Sequence, residues 1–314
     1  MTHSTQLPII DIGAFSHDAN QRAAIAQAVR NALSDCGFMY ICGHGIDSAL
    51  IARAVAEAQR FFATSPHDKQ QLAYTDIDTN FGYQGIEVES LDPSNLPDLK
   101  EAFTMRNALA VGAHLRHWPT TEFRDVALAF YEAGLAAAHR IMTVLAACLE
   151  LPSDFFRVRH QGENVTLRFL HYPANLSIKA GTQLGAGEHT DYGSITLLFQ
   201  DEVGGLEVRG TDGKWHSAIP IANSVLVNTG DLMERWSNGR FRSTLHRVRP
   251  IEGNRDRYSM ALFVDPDTAV EVECIPSCVS TDRPARYPII TAGEHIRQKI
   301  AATHQRPTQL TANP

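Results

Sequence analysis

Apolar positions along this chain follow two different periods, and the change falls near Leu151-Pro152. In the first half the period is helical. From about Asp18 to Asp35, Ala24, Ile25, Ala28, Val29, Ala32 and Leu33 recur at helical spacing, which predicts a helix ended by Gly37. LPIIDI (7–12) before it and FMYIC (38–42) after it read as short strands, the second turning at Gly43-His44-Gly45. Asp47 or Ser48 caps a second helix to about Phe62, and Ser65-Pro66 starts a short third one. Residues 73–118 are less regular, broken by Gly82, Gly85, Pro93 and Pro97, with strands expected around FGYQG and KEAFTM. A long helix follows from about Thr121 to Glu150. Its residues Leu128, Tyr131, Leu135, Ala138, Met142, Leu145 and Leu149 form one apolar stripe. The charge pattern of a coiled coil is missing, so the stripe is expected to pack on the chain's own sheet.

Beyond Leu151-Pro152 the period shortens. VTLRFLHY, SITLLFQ, GLEVR, KWHSAI, SVLVN, STLHRVR, YSMALFV and VEVECI are short strand-like runs separated by Gly, Asn and Asp turns. Such a series implies an antiparallel sandwich or jelly roll, giving a mainly β fold with flanking helices. Thr291 to Glu294 is a capping box that opens a final helix to about His304. These textures divide the chain into a helical and strand region (1–118), the long-helix region (119–163), a jelly-roll core with its C-terminal helix (164–304) and a tail (305–314). No linker separates them, so one shared core is expected.

Composition narrows the function by exclusion. At 314 residues and 44% hydrophobic content, a sizeable core can form. A formal charge of −7 and a pI near 6.0 leave no basic footprint for nucleic acid. Nothing approaches the ~18 consecutive apolar residues of a membrane span. The N-terminus lacks a basic head followed by an apolar signal run. Cys36, Cys42, Cys148, Cys274 and Cys278 form an odd, scattered set, expected as free thiols in a reducing cytoplasm. Cys274 and Cys278 have CxxxC spacing, but no second cysteine pair completes a zinc site.

The chemistry concentrates on His189-Thr190-Asp191 and the distant His246. In an extended strand, residues i and i+2 point to one face, so His189 and Asp191 can reach a common point. His246 lies inside STLHRVR, three or four strands later, where a jelly roll brings the chain back to its start. Two imidazoles and a carboxylate form the facial triad that holds non-haem Fe(II) with open positions. The chain has 14 histidines, and for an isolated pair a solvent-facing strand histidine is the ordinary alternative. Arg257 and Ser259 share the next strand's face. Beside an iron site they would grip the far carboxylate of a dicarboxylate chelator; alone they would read as a surface salt bridge. Tyr172, before Pro173, can add a phenolic donor or be a core tyrosine.

The run EHTDYGSITLLFQDEVGGLEVRGTDGKWHSAIPIANSVLVNTGDLMERWSNGRFRSTLHRV resembles the signature half of the Fe(II)/2-oxoglutarate-dependent dioxygenases, in their isopenicillin N synthase-like branch. LPIIDIGAF, ALSDCGFMYICGHGI and DLKEAF are similar to that branch's N-terminal part. The resemblance covers roughly residues 7–303. It implies a distorted double-stranded β-helix, with His189, Asp191 and His246 as iron ligands. It also implies that Arg257, Ser259 and Tyr172 hold 2-oxoglutarate. The reaction so implied takes O2, releases succinate and CO2, and oxidises a C–H bond of a small-molecule substrate.

Two positions depart from the branch. Gly43 stands where relatives often have Asn, and Leu170 where plant relatives often have an Asn that touches the co-substrate. His44 and His171 flank family motifs without matching ligand positions, and are expected to be structural. In isopenicillin N synthase the same Arg-x-Ser pair grips the substrate's own carboxylate, so the pair specifies an anion without naming it. An oxidase of that kind, a non-enzymatic jelly-roll binding protein and a zinc hydrolase are the competing readings. Tyr83, Phe169 and Phe263 are candidate substrate contacts, each equally a candidate for core packing. A monomer is the default.

Overall fold

The computed structural model describes residues 7–304 apart from 16–17, 75–78, 93, 111, 113–115, 175, 177–182 and 252. The tail 305–314 lies outside the described residues. The N-terminal part runs β1 (Ile9–Asp11), α1 (Ala19–Asp35), β2 (Phe38–Cys42), α2 (Ser48–Phe62), α3 (Pro66–Gln70), β3 (Phe81–Gln84) and β4 (Glu101–Arg106). The caps anticipated from sequence for α2 and α3 are formed, and α1 carries one as well. Asp18 accepts from Asn20 and Gln21 at the start of α1, Asp47 from Ala49 at α2, and Ser65 from Asp68 at α3. Each satisfies donors that a helix start otherwise leaves unpaired. Gly37 turns α1 into β2 at φ +73°, and a Cβ there would lie 2.4 Å from the Arg242 carbonyl oxygen.

The long helix α4 (Thr121–Cys148) buries far more than one stripe. Phe123, Val126, Phe130, Tyr131, Ala137, Ile141, Met142 and Leu145 are all buried, whereas Leu128 and Leu135 are only half-buried. The broad face arises because α4 packs against α1 and α2 as well as the sheet. A helix with neighbours on several sides buries most of its circumference.

Ten further strands and two helices complete the fold. They are β5 (Val165–Tyr172), β6 (Ala186–His189), β7 (Ile195–Gln200), β8 (Leu206–Arg209), β9 (Trp215–Ser217), β10 (Val225–Thr229), α5 (Asp231–Trp236), β11 (His246–Val248), β12 (Arg257–Val264), β13 (Glu271–Val272), β14 (Ile290–Thr291) and α6 (Ala292–His304). Thr291 caps α6 by accepting from the Glu294 N–H. An eight-stranded sheet has the order β1-β2-β10-β7-β12-β5-β4-β3, facing a four-stranded sheet of order β6-β11-β8-β9. The two sheets make the jelly roll. The expected strand VEVECI is reduced to the two residues of β13, and β6, α5 and β14 had no counterpart in the sequence reading.

Alternation along β5 and β12 separates two apolar layers. Val165, Leu167, Phe169, Met260 and Leu262 face the helices, while Leu170, Tyr172 and Ala261 face the inside of the roll. The strands pair with Arg257 opposite Tyr172, Ser259 opposite Leu170 and Ala261 opposite Arg168. An inward row of polar side chains therefore runs down the roll from Arg257. Two candidate substrate contacts fall on the wrong side of this division. Phe169 is fully buried against Phe123, and Tyr83 packs on Phe61 and bonds Glu101. Only Phe263 of the three lines the cavity inside the roll.

Candidate active site

His189 closes β6 and His246 opens β11, and the two residues are direct cross-strand partners. Their rings meet at 4.2 Å between centroids. Asp191 is not on a strand: β6 stops at His189, and Asp191 sits in the turn that leads to β7. The i, i+2 strand argument therefore reaches the right convergence by a different backbone path. That turn is fixed by the Asp231 and Gly230 N–H groups, which donate to the Asp191 and Ser194 carbonyls.

The three side chains converge. Asp191 Oδ1 lies 3.6 Å from His246 Nε2 and 4.0 Å from His189 Nε2. One donor atom from each residue lies within 4.8 Å of the others, and this is the metal-ligating cluster found among the described residues. Outer contacts orient each donor. His189 Nδ1 faces the Gly187 carbonyl at 2.7 Å, and His246 Nδ1 faces the Thr244 carbonyl at 3.1 Å. Both rings are thus set to carry hydrogen on Nδ1 and present the Nε2 lone pair. Asp191 Oδ2 accepts from Thr196 Oγ1 at 2.5 Å and Asn228 Nδ2 at 2.6 Å, which leaves Oδ1 for the imidazole side. Phe38 packs edge-on against His246.

The electrostatics suit a cation. Burial, then His246, lowers His189 to about 3, so its ring is neutral near pH 7 and free to donate a lone pair. Burial alone would raise Asp191, but His246, His189, Asn228 and Thr196 hold it below the usual carboxylate range. Neutral imidazoles and an ionised carboxylate form the state that binds metal. This N,N,O donor set with open positions fits non-haem Fe(II).

Arg257 begins β12 and is fully buried inside the roll. Its Nη1 donates to Ser259 Oγ at 3.1 Å, its Nη2 to Gln200 at 3.4 Å, and its guanidinium lies over the Tyr172 ring at 4.6 Å. Nε has no partner, and no carboxylate pairs with the guanidinium among the described residues. Tyr172, anticipated from sequence as a phenolic donor, lines the cavity and offers its ring face to the cation. Elsewhere in the same cavity the charges neutralise one another: Glu89 meets Arg168 and Lys100, each at 3.0 Å. The cavity holds about 220 Å³ and joins the triad to Arg257, with Leu170, Leu198, Leu206 and Val248 along the way.

Comparison with known proteins agrees with this geometry. Residues 152–266 match the 2OG-Fe(II) oxygenase superfamily, and residues 7–121 match the family described as non-haem dioxygenase in morphine synthesis N-terminal. The 2-oxoglutarate-Fe(II) type oxidoreductase hxnY of Emericella nidulans is 32% identical, covering 96% of this chain and 91% of that protein. The chain belongs to the 2OG-Fe(II) oxygenases. It is a 2-oxoglutarate-dependent non-haem iron oxygenase with a jelly-roll core. Among solved structures, the oxygenase is similar to a full-length Neurospora crassa protein crystallised in complex with alpha-KG and thymine. That similarity has a TM-score of 0.86 at 30% identity, covering 97% of this chain and 99% of the other. Validamycin A dioxygenase of Streptomyces hygroscopicus is 31% identical over 93% of this chain and 85% of its own length.

The oxygenase carries supports that its motifs did not announce. Asn228 and Thr196 aim Asp191, yet each sits in an otherwise apolar strand, SVLVN and SITLLFQ. A polar residue on the inward side of a buried strand was the available signal. Ile296 and Ile300 of α6 also line the cavity. His44 and His171 stand away from the ligand set, as expected. His44 accepts the Ile46 N–H, and His171 lies between two carboxylates. Cys274 and Cys278 are buried free thiols.

Proposed function

We propose that His189, Asp191 and His246 hold the ferrous ion of this oxygenase. In the same reading, Arg257 and Ser259 hold the distal carboxylate of 2-oxoglutarate above the Tyr172 ring. The observation that carries the reading is the bare charge of Arg257. A buried guanidinium without an anion is costly, and a bound carboxylate supplies the missing partner to an Arg-Ser pair. Leu170, opposite Ser259, takes the place of the asparagine of plant relatives and leaves the apolar stem of the co-substrate an apolar wall.

Ferrous iron bound at the triad supplies the oxygen chemistry that couples decarboxylation of 2-oxoglutarate to oxidation of a substrate C–H bond. The chain's own residues prepare for it. Gly187 and Thr244 carbonyls keep both histidines in the ligating tautomer, while Asn228 and Thr196 hold the carboxylate. Leu198, Leu206 and Val248 keep water from the passage between triad and anchor, which strengthens the charge contacts there.

The substrate is a small molecule bound farther down the inward row, beside Phe263, Ile296 and Ile300. The thymine complex of the Neurospora relative supports a compact molecule. The five free cysteines favour a reducing, cytoplasmic setting. No helix among the described residues is long and apolar enough to cross a membrane. A monomer remains our assignment. The test is succinate formation from Fe(II), 2-oxoglutarate and O2, followed by a screen of small molecules for stimulated oxygen uptake. Protein that binds iron yet shows not even slow uncoupled turnover would overturn the assignment.

A further inference from the structure

Behind the anchor, on the helix-facing side of β5, lies an ionic cluster that the reaction does not use. His171 is buried there, one residue before Tyr172. Its Nδ1 lies 2.7 Å from Glu101 Oε1 on β4, and its Nε2 lies 2.9 Å from Asp256 Oδ2, on the residue that precedes Arg257. The ring stacks on Tyr258 of β12 at 4.6 Å and 11°, and Phe62 of α2 packs at 5.4 Å. Lys69 of α3 donates to both Glu101 oxygens at 3.0 and 2.8 Å, and Tyr83 of β3 donates to Oε2. The Ala174 N–H donates to Asp256 Oδ1 at 2.8 Å.

These contacts set the state of the two carboxylates. Burial alone would raise Glu101, but bonds from His171, Lys69 and Tyr83 bring it below the usual carboxylate range. Burial would likewise raise Asp256, and the Ala174 N–H and His171 hold it down instead. The ring thus stands between two carboxylates, one on β4 and one at the entry of β12.

We propose that His171 is a positioning residue, a clamp that ties β4 and β5 to the entry of β12 and so sets Tyr172 and Arg257 for anion binding. Successive strand residues face opposite sides, so fixing His171 and Asp256 outside fixes Tyr172 and Arg257 inside. The clamp rests on the reading of Arg257 as the anchor of 2-oxoglutarate. Asp256 is 42% exposed in its side chain, so Asp256→Ala leaves the core intact.

Kinetics of one variant and its conservative counterpart test it. In Asp256→Ala, KM for 2-oxoglutarate should rise about tenfold with kcat and Fe(II) affinity little changed, the loss of one charge-assisted bond. Asp256→Glu should recover most of that loss. A KM within twofold of wild type in Asp256→Ala overturns the clamp. Arg257→Met separates the two ideas: unchanged 2-oxoglutarate binding there overturns the anchor instead.

Discussion

Arg257→Met removes the charge of the proposed anchor while keeping most of its volume. Among the described residues this arginine has no acidic partner, and its Nε has no acceptor. Its removal should therefore cost the fold little, because replacing buried charge by apolar volume is often neutral or stabilising. With 2-oxoglutarate bound the balance reverses. Truncating one side of a buried, hydrogen-bonded charge pair costs about 2–5 kcal/mol. At about 1.4 kcal/mol per factor of ten, 2-oxoglutarate should bind from about 30-fold to a few thousand-fold more weakly. Anaerobic titration of the Fe(II) protein with 2-oxoglutarate reads the affinity, and thermal unfolding of the metal-free protein reads the fold. The expected pair of results is a large loss of affinity with Tm equal to or above wild type. Affinity within threefold of wild type would refute the reasoning. So would a metal-free variant several kcal/mol less stable, since Arg257 would then serve the fold.

Other substitutions probe the supports around it. Asp191→Ala should lower iron affinity and abolish turnover while circular dichroism and Tm stay near wild type. Asn228→Ala removes one of two donors that aim Asp191 and should weaken iron binding by about 10- to 100-fold, read by metal titration. At Gly193 a Cβ would fall 1.3 Å from Asp265 Oδ1, so Gly193→Ala must displace the Asp265 side chain or the Asp191 turn and should reduce iron affinity without unfolding the core. His160 is fully buried between the Phe156 carbonyl and Ser194, and burial lowers it to about 3. The fold requires its neutral form, so its contribution is intact above about 6.5 and is lost as pH falls toward about 3. Denaturant unfolding should show stability dropping across that window, with a shallower slope in His160→Gln.

Local signals made much of this fold legible before any coordinates. Caps at Asp47, Ser65 and Thr291 are read from one or two residues, and each forms as its side chain dictates. The strands β5, β7, β10 and β12 are apolar enough to announce themselves. What escaped was short or polar. β6 reads AGEH because its end carries a site residue in place of core side chains, and α5 is only six residues long. The face that a residue occupies was equally hidden. Phe169 and Tyr83 turn toward the helices and Phe263 toward the cavity, and which face is which depends on sheet pairing that a single run of sequence does not contain.

The site divides along the same line. Ligand identities came from a motif, and their convergence required only that the roll return His246 to His189. Of the contacts that prepare them, the Gly187 and Thr244 carbonyls lie only two residues before each histidine, but backbone acceptors carry no residue signature; Asn228 reaches Asp191 from 37 residues away. His171 shows how far a bland reading can hold and still fall short. It is structural in not being a ligand, yet its two carboxylate partners come from segments 70 and 85 residues away.

The most direct measurement is an anaerobic titration of the metal-free protein with Fe(II), then with 2-oxoglutarate, followed by visible absorption. Chelation of ferrous iron by the 2-oxo acid at the triad should produce a metal-to-ligand band that saturates at one iron per chain, is absent with either component alone, and is lost in Asp191→Ala. Iron binding without that band in wild type, or a band that survives in Asp191→Ala, would contradict the assignment of His189, Asp191 and His246 as the centre of the reaction.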